Sequence, residues 1–174
     1  MKKYFVLASF LLFGAGFTAA QTQQKIGFVD SQIILTQLPE AIKAQGDLDA
    51  LANKWTAQLD SMTQELQQEY ADYQKQANTM PEDKRTVAQQ NLIQKEQAIQ
   101  EFRRQKFAQQ TGELYKKQEE IFNPIKEKIY KAIQEVATAE GMQFIFDKSG
   151  DIILLYADPA YDMTYRVMDK LKRG

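Results

Sequence analysis

The chain is 174 residues long and carries 22 basic and 23 acidic residues, with neither Cys nor His. Lacking both, it cannot build a Ser-His-Asp or Cys-His site or a His or Cys zinc site, and the commonest general base is missing. A net charge of −1 speaks against sequence-independent nucleic-acid binding, which needs a basic surface, and no cofactor or metal is expected.

Residues 1–20 read as a signal peptide. Lys2 and Lys3 precede an apolar run from Tyr4 to Phe17, and Thr18-Ala19-Ala20 supplies small residues ahead of a cleavage after Ala20. The run is short for a membrane span, and no Cys follows it to carry a lipid. Loss of the two lysines leaves 20 basic and 23 acidic residues, a net charge of −3. An exported chain without disulfides must be held by packing or by association.

Residues 21–39 open a small body. Ile26, Phe28 and Val29 form a short strand, and Asp30 caps a helical turn carrying Ile33, Ile34 and Leu38. Pro39 pushes Leu38 out of the helical region and suits the first turn of a new helix.

Residues 40–123 form a helical hairpin arm with its tip at about 78–82. The outgoing half repeats an apolar triplet every eleven residues: Ala44, Leu48, Leu51; Trp55, Leu59, Met62; Leu66, Tyr70, Tyr73; then Ala77. Eleven residues are three turns of about 3.67, which keeps one narrow stripe in line along an almost straight helix pair. Trp55, Tyr70 and Tyr73 are read as members of this seam rather than as binding residues. Apart from Ile42, the helix otherwise offers mainly Ala. Its partner is the returning half, with a looser stripe of Ala88, Leu92, Ile99, Phe102, Leu114, Ile121 and Ile125. Between the halves, Thr79-Met80-Pro81-Glu82 has the form of a capping box, with Thr79 as N-cap and Pro81 in the first turn. Pro39 and Pro124 lie at near-mirror positions about this tip and mark the base of the arm, where Pro124 is expected to kink the returning helix.

Residues 124–174 complete the body. Gly141 ends the returning helix, and Gln143–Asp147 and Asp151–Tyr156 are expected to form a two-stranded hairpin about a Ser149-Gly150 turn. Asp162 caps a terminal helix with Val167, Met168 and Leu171 on its inner face. Phe144 and Phe146 alternate with Ile145, and Ile152, Leu154 and Tyr156 alternate with Ile153 and Leu155, so both strand faces are apolar and need cover. With Ile26 and Phe28 these residues are the candidate oligomer body. The fold class is α+β, a long hairpin arm on a strand body completed by self-association.

Ile93, Tyr115 and Phe122 fall about 120–160° from Ile99 at 100° per residue, off the seam. They are candidate contacts to an unfolded chain, the alternative being that they widen the seam or pack on the base. Arg103, Arg104 and Lys106 read as a solvated face, and Asp147 and Asp151 as the flanks of a turn rather than a calcium site.

Taken together, "KIGFVDSQIIL" with "LPEA" after it, the long Gln/Lys/Glu helices and the end "FIFDKSGDIILLYADPAYDMTYRVMDKL" resemble the Skp/OmpH family of periplasmic chaperones. The resemblance covers essentially the whole mature chain. It implies a homotrimer whose strands form a barrel-like body and whose three arms enclose a cavity. Unfolded outer-membrane proteins would be held there without ATP, on the way to the assembly machinery; the chain would not be an enzyme. Familiar members are strongly basic, whereas this chain is mildly acidic, so direct membrane or lipopolysaccharide contact is not expected. The competing reading is a structural envelope protein whose coiled coil docks one folded partner.

Overall fold

The structure is a computed structural model describing residues 24–173. The expected signal peptide, with its cleavage after Ala20, lies outside the described residues. The order is β1 (Ile26–Val29), α1 (Ser31–Gln37), α2 (Pro39–Gln76), α3 (Glu82–Phe107), α4 (Glu113–Glu140), β2 (Phe144–Asp147), a short 3-10 turn (Pro159–Tyr161) and α5 (Thr164–Arg173).

Local chemistry starts and stops these elements. Asp30 accepts a hydrogen bond from the Ile33 N–H at 2.9 Å and so caps α1. Leu38 takes an extended conformation before Pro39, which opens α2. Gly141 stops α4 at φ 65, where the Met142 N–H bonds back to the Ala137 carbonyl and the Gly141 N–H to Thr138. That pair of bonds satisfies the last carbonyls of the helix. Asp162 caps α5 through the Thr164 N–H at 2.9 Å.

The body is woven from both ends of the chain. β1 and β2 pair in parallel, with Ile26 opposite Phe144 and Phe28 opposite Phe146. On its other edge β1 meets Asp162, and the Met163 N–H donates to the Phe28 carbonyl at 2.8 Å. Ile34 of α1, Ile129 and Val136 of α4, and Val167, Met168 and Leu171 of α5 converge in one core with Val29. The terminal helix thus buries its apolar stripe, while Arg166 and Lys170 on its flank reach Glu140 and Glu135 of α4.

The expected hairpin of residues 143–147 and 151–156 does not form in the single chain. β2 takes β1 as its partner, and residues 151–156 run without strand pairing. The Ser149-Gly150 turn is present, but Asp147 ties it elsewhere, accepting from the Ser149 hydroxyl at 2.7 Å and the Ser31 N–H at 3.1 Å. The carboxylate that would open a hairpin is instead fastened to the start of α1.

In the arm, α2 runs unbroken for 38 residues, about 57 Å at 1.5 Å per residue. Two features of the return differ from expectation. The capping box is absent: Thr79 donates its hydroxyl to the Gln76 carbonyl at 3.1 Å, Pro81 itself is the N-cap, and Glu82 is the first helical residue. The pyrrolidine has no N–H to satisfy, so a Pro serves there at little cost.

The second difference is a break in the returning helix at residues 108–112; at the base the helix continues through Pro124. Pro124 and Glu120 are exposed, so the carbonyl left unpaired can be hydrated. At the break Gln110 is left-handed at φ 64, and the Gly112 N–H bonds the Ala108 carbonyl at 2.9 Å. A Cβ on Gly112 would lie 2.6 Å from the Ala108 nitrogen, so only Gly closes this turn. The break falls where the apolar stripe lapses, between Phe102 and Leu114.

Candidate functional site

Along the seam, Leu48 and Trp55 are buried and Leu51, Leu59, Met62, Leu66 and Tyr73 half-buried, whereas Tyr70 is 53% exposed. Trp55 meets Phe107 edge to face, with ring centroids 6.3 Å apart, and Lys106 lies 5.0 Å over its ring. Lys106 also bonds Glu113 at 2.6 Å, bridging the helix break. That lysine, expected on a solvated face, is therefore a clasp, while Arg104 pairs with Glu101. Toward the tip, Lys95 of α3 pairs with Glu69 of α2, and the bond to Glu69 holds the lysine pKa above its ordinary value.

Two apolar sites lie on the arm. The larger is an open groove of about 880 Å³ at its base, walled by α1, α2 and α4. Tyr115 and Phe122 line it together with Leu35 and Ile42. Leu35 and Phe122 form the floor, packed on the body core, and Ile42 stands exposed on the rim. Tyr115 donates to Glu119 at 3.2 Å; the Glu119 charge, then that hydrogen bond, then burial raise the phenol pKa above its ordinary value. The second site, about 560 Å³, lies toward the tip, where Ile93 and Tyr70 are each 53% exposed. Beside them the Tyr73 hydroxyl accepts from Gln89 at 2.7 Å and so keeps its ring turned to the partner helix.

The three candidate contacts therefore divide, two into the groove and one into the tipward patch. Ile42, Leu35 and Tyr70 were not expected there. Ile42 had a signal, as the one large apolar residue of α2 outside the stripe. Tyr70 had none, because it sits in register with the seam.

In the body, Ile26, Phe144, Phe146, Ile152, Leu154 and Tyr156 are exposed, whereas Phe28 is buried beneath Lys148, whose ammonium lies 5.4 Å over its ring. Ile153 and Leu155, 84% and 95% exposed, extend the same apolar segment. At the tip Met80 is half-buried and Thr79, Pro81 and Glu82 are exposed. Burial tends to raise the Asp147 pKa, but hydrogen bonds from Ser31 and Ser149 outweigh it and hold the carboxylate below its ordinary value. Asp147 is thus a structural tie, and among the described residues no group of three or more carboxylates could hold a metal ion. Nor, among them, is any helix long and apolar enough to cross a membrane.

Comparison with known proteins agrees with this architecture. The chain is 28% identical over 173 residues to the chaperone protein Skp of Pectobacterium atrosepticum, a match spanning 99% of this chain and all of that one. An OmpH-like outer membrane chaperone from Caulobacter crescentus CB15 superposes with a TM-score of 0.71 at 17% identity, covering 86% of this chain and 85% of its own, a likeness of fold. The family described as "Outer membrane protein (OmpH-like)" matches residues 25–171. With a hairpin arm on a two-stranded body and a family match across nearly all the described residues, the chain belongs to the OmpH-like family, whose members are chaperones and not enzymes.

Proposed function

We propose that this protein is a periplasmic holdase that works without ATP: three copies join through their strand bodies, and their arms enclose an unfolded outer-membrane protein. The observation that carries the reading is the apolar segment at residues 152–156, left bare beside Phe144 and Phe146 in a single chain. Five consecutive residues with unpaired backbone and large apolar side chains are an aggregation hazard unless a partner covers them. Pairing between copies satisfies both backbone and side chains, and a closed ring of strands leaves no free edge. The arms then project from one body, with apolar groove and tipward patch separated by polar helix surface. Such an arrangement offers many weak contacts to a chain of no fixed shape. The assembly machinery of the outer membrane is the recipient this reading assigns to the released client.

Dilution of an unfolded β-barrel protein from denaturant tests the activity. Turbidity should be suppressed at one trimer per client without nucleotide. Light scattering on the mature protein should give three chains per particle, with one client added on capture. A protein that stays monomeric at every concentration, or leaves turbidity unchanged at stoichiometric ratio, contradicts the proposal.

A further inference from the structure

We infer that the groove at the base of the arm binds an extended segment of an unfolded client in which a basic side chain stands one or two residues from a large apolar one. This rests on the holdase reading and adds the place and the chemistry by which a client is gripped.

Gly46 is the first observation. It lies inside α2 on the groove wall, and a Cβ there would meet nothing within 4 Å. Glycine is the least favourable helix-interior residue after proline. Gly112 is required by a close contact of its own chain, but nothing in this chain requires Gly46. What its missing side chain does provide is room for a foreign main chain to come close to the helix. The walls beside it carry the side-chain amides of Gln32, Gln45 and Gln118. Each amide offers donors and an acceptor, matching the unpaired N–H and C=O groups of an extended peptide. The floor of Phe122 and Leu35 takes its apolar side chain.

Charge fixes the rest. Lys128 of α4 bonds Glu40 of α2 at 2.9 Å and sets the level of the two helices. Asp49 and Glu119 each lie nine residues tipward of that bridge, about 13 Å along the arm, and both face the groove. Among the described residues neither has a cationic partner: Asp49 accepts from Gln45 at 2.8 Å, Glu119 from the Tyr115 hydroxyl. Lys126 stands at the opposite, body end of the groove, about 10 Å from the two carboxylates, and it too has no ion-pair partner among the described residues. Two uncompensated carboxylates attract a cation to the tipward end and repel an anion. At about 3.3 Å per residue, three residues of extended chain bridge the distance to Lys126. Phe122 lies three helical residues, about 5 Å, from Glu119, so the matching occupant is basic at one end, apolar one or two residues on over Phe122, and neutral or acidic at the other.

The test uses the full mature protein and fluorescein-labelled decapeptides of Ser, Thr and Gly bearing one Lys and one Phe two positions apart, in both orders. Anisotropy should show at least one order binding tenfold or more tighter than its Glu-for-Lys counterpart. The Asp49→Lys, Glu119→Lys double variant should invert that preference. Gly46→Leu should weaken the probe tenfold or more while raising the melting temperature and leaving the scattering mass unchanged, so lost binding cannot be lost folding. Equal binding of the Lys and Glu probes overturns the inference, as does a Gly46→Leu protein that binds normally. A Gly46→Leu protein that binds normally but changes mass would assign the groove to contacts between copies. Turbidity assays run in parallel separate the two readings: suppression without probe discrimination defeats this inference alone, and absence of suppression defeats the holdase reading.

Discussion

Replacing Trp55 with Ala tests how the arm is held together. The indole is 9% exposed, meets the Phe107 ring at 89°, and lies under the Lys106 ammonium. Truncating a buried aromatic to Ala costs about 3–5 kcal/mol, most of it lost burial and the space left behind. The edge-to-face contact adds ~0.5–1.5 kcal/mol beyond area, and the cation over the ring ~0.5–1 kcal/mol at a site with some exposure. Apolar burial therefore dominates, and the lysine should matter much less. Lys106→Met keeps the aliphatic stem but removes the charge, the Glu113 bridge and the cation–π contact, so it should cost about 1 kcal/mol. In a domain of this size 1 kcal/mol corresponds to roughly 2–4 °C. Trp55→Ala should lower the circular-dichroism midpoint by roughly 10 °C and Lys106→Met by about 3 °C. Both must be read at one fixed chain concentration, since association itself raises the midpoint. Hydrogen exchange should show the loss first in residues 48–62 and 99–107, the two helices that meet at this ring. Equal shifts in the two variants would refute the reasoning, because the arm would then be held by charge rather than by its seam.

At the helix break, Gly112→Ala should destabilise the protein by about 1–3 kcal/mol through its clash with Ala108. Gln110→Gly should stabilise it by up to ~1 kcal/mol by relieving a left-handed residue; chemical denaturation reads both, with opposite signs expected. Asp147 has a depressed pKa in the folded state, so its contribution is present above its ordinary value of 3.8 and is lost as pH falls through the folded value. Denaturation midpoints from about pH 5 downward should fall less steeply for Asp147→Asn than for the parent chain. Ile153→Asp with Leu155→Asp alters two side chains that touch little in the single chain, so monomer structure should persist while the scattering mass falls to one chain.

The sequence made the arm legible because its stripe is local and strictly periodic. Leu48, Trp55 and Met62 announce one face at a spacing only a helix can use. The caps at Asp30, Pro39 and Gly141 were legible for the same reason, each acting within four residues. The body was harder. Parallel pairing of β1 with β2 joins residues more than a hundred apart, and no local signal competes with a Ser-Gly turn between two apolar runs. The break at 108–112 was hidden because "AQQTG" has no proline and its decisive residue, Gln110, is not a usual left-handed one. In the groove, Tyr115 and Phe122 stood out as apolar residues off the seam. That they share one site depends on α1 folding over the base, which periodicity does not encode.

The weaving of the body has a consequence for how the chain can be made. The arm is closed by a five-residue return and its halves meet locally, so it can fold once the chain has emerged to about residue 123. The body cannot, because β1 waits for β2 and for Asp162 and Met163, and Asp30 waits for Thr164, whose hydroxyl receives its N–H at 2.9 Å. Once formed, the arm brings Glu40 beside Lys128 and shortens the search for that closure. A chain cut short before residue 162 would therefore own a finished arm and no body to seat it. Completion of the chain thus becomes the event that closes the body.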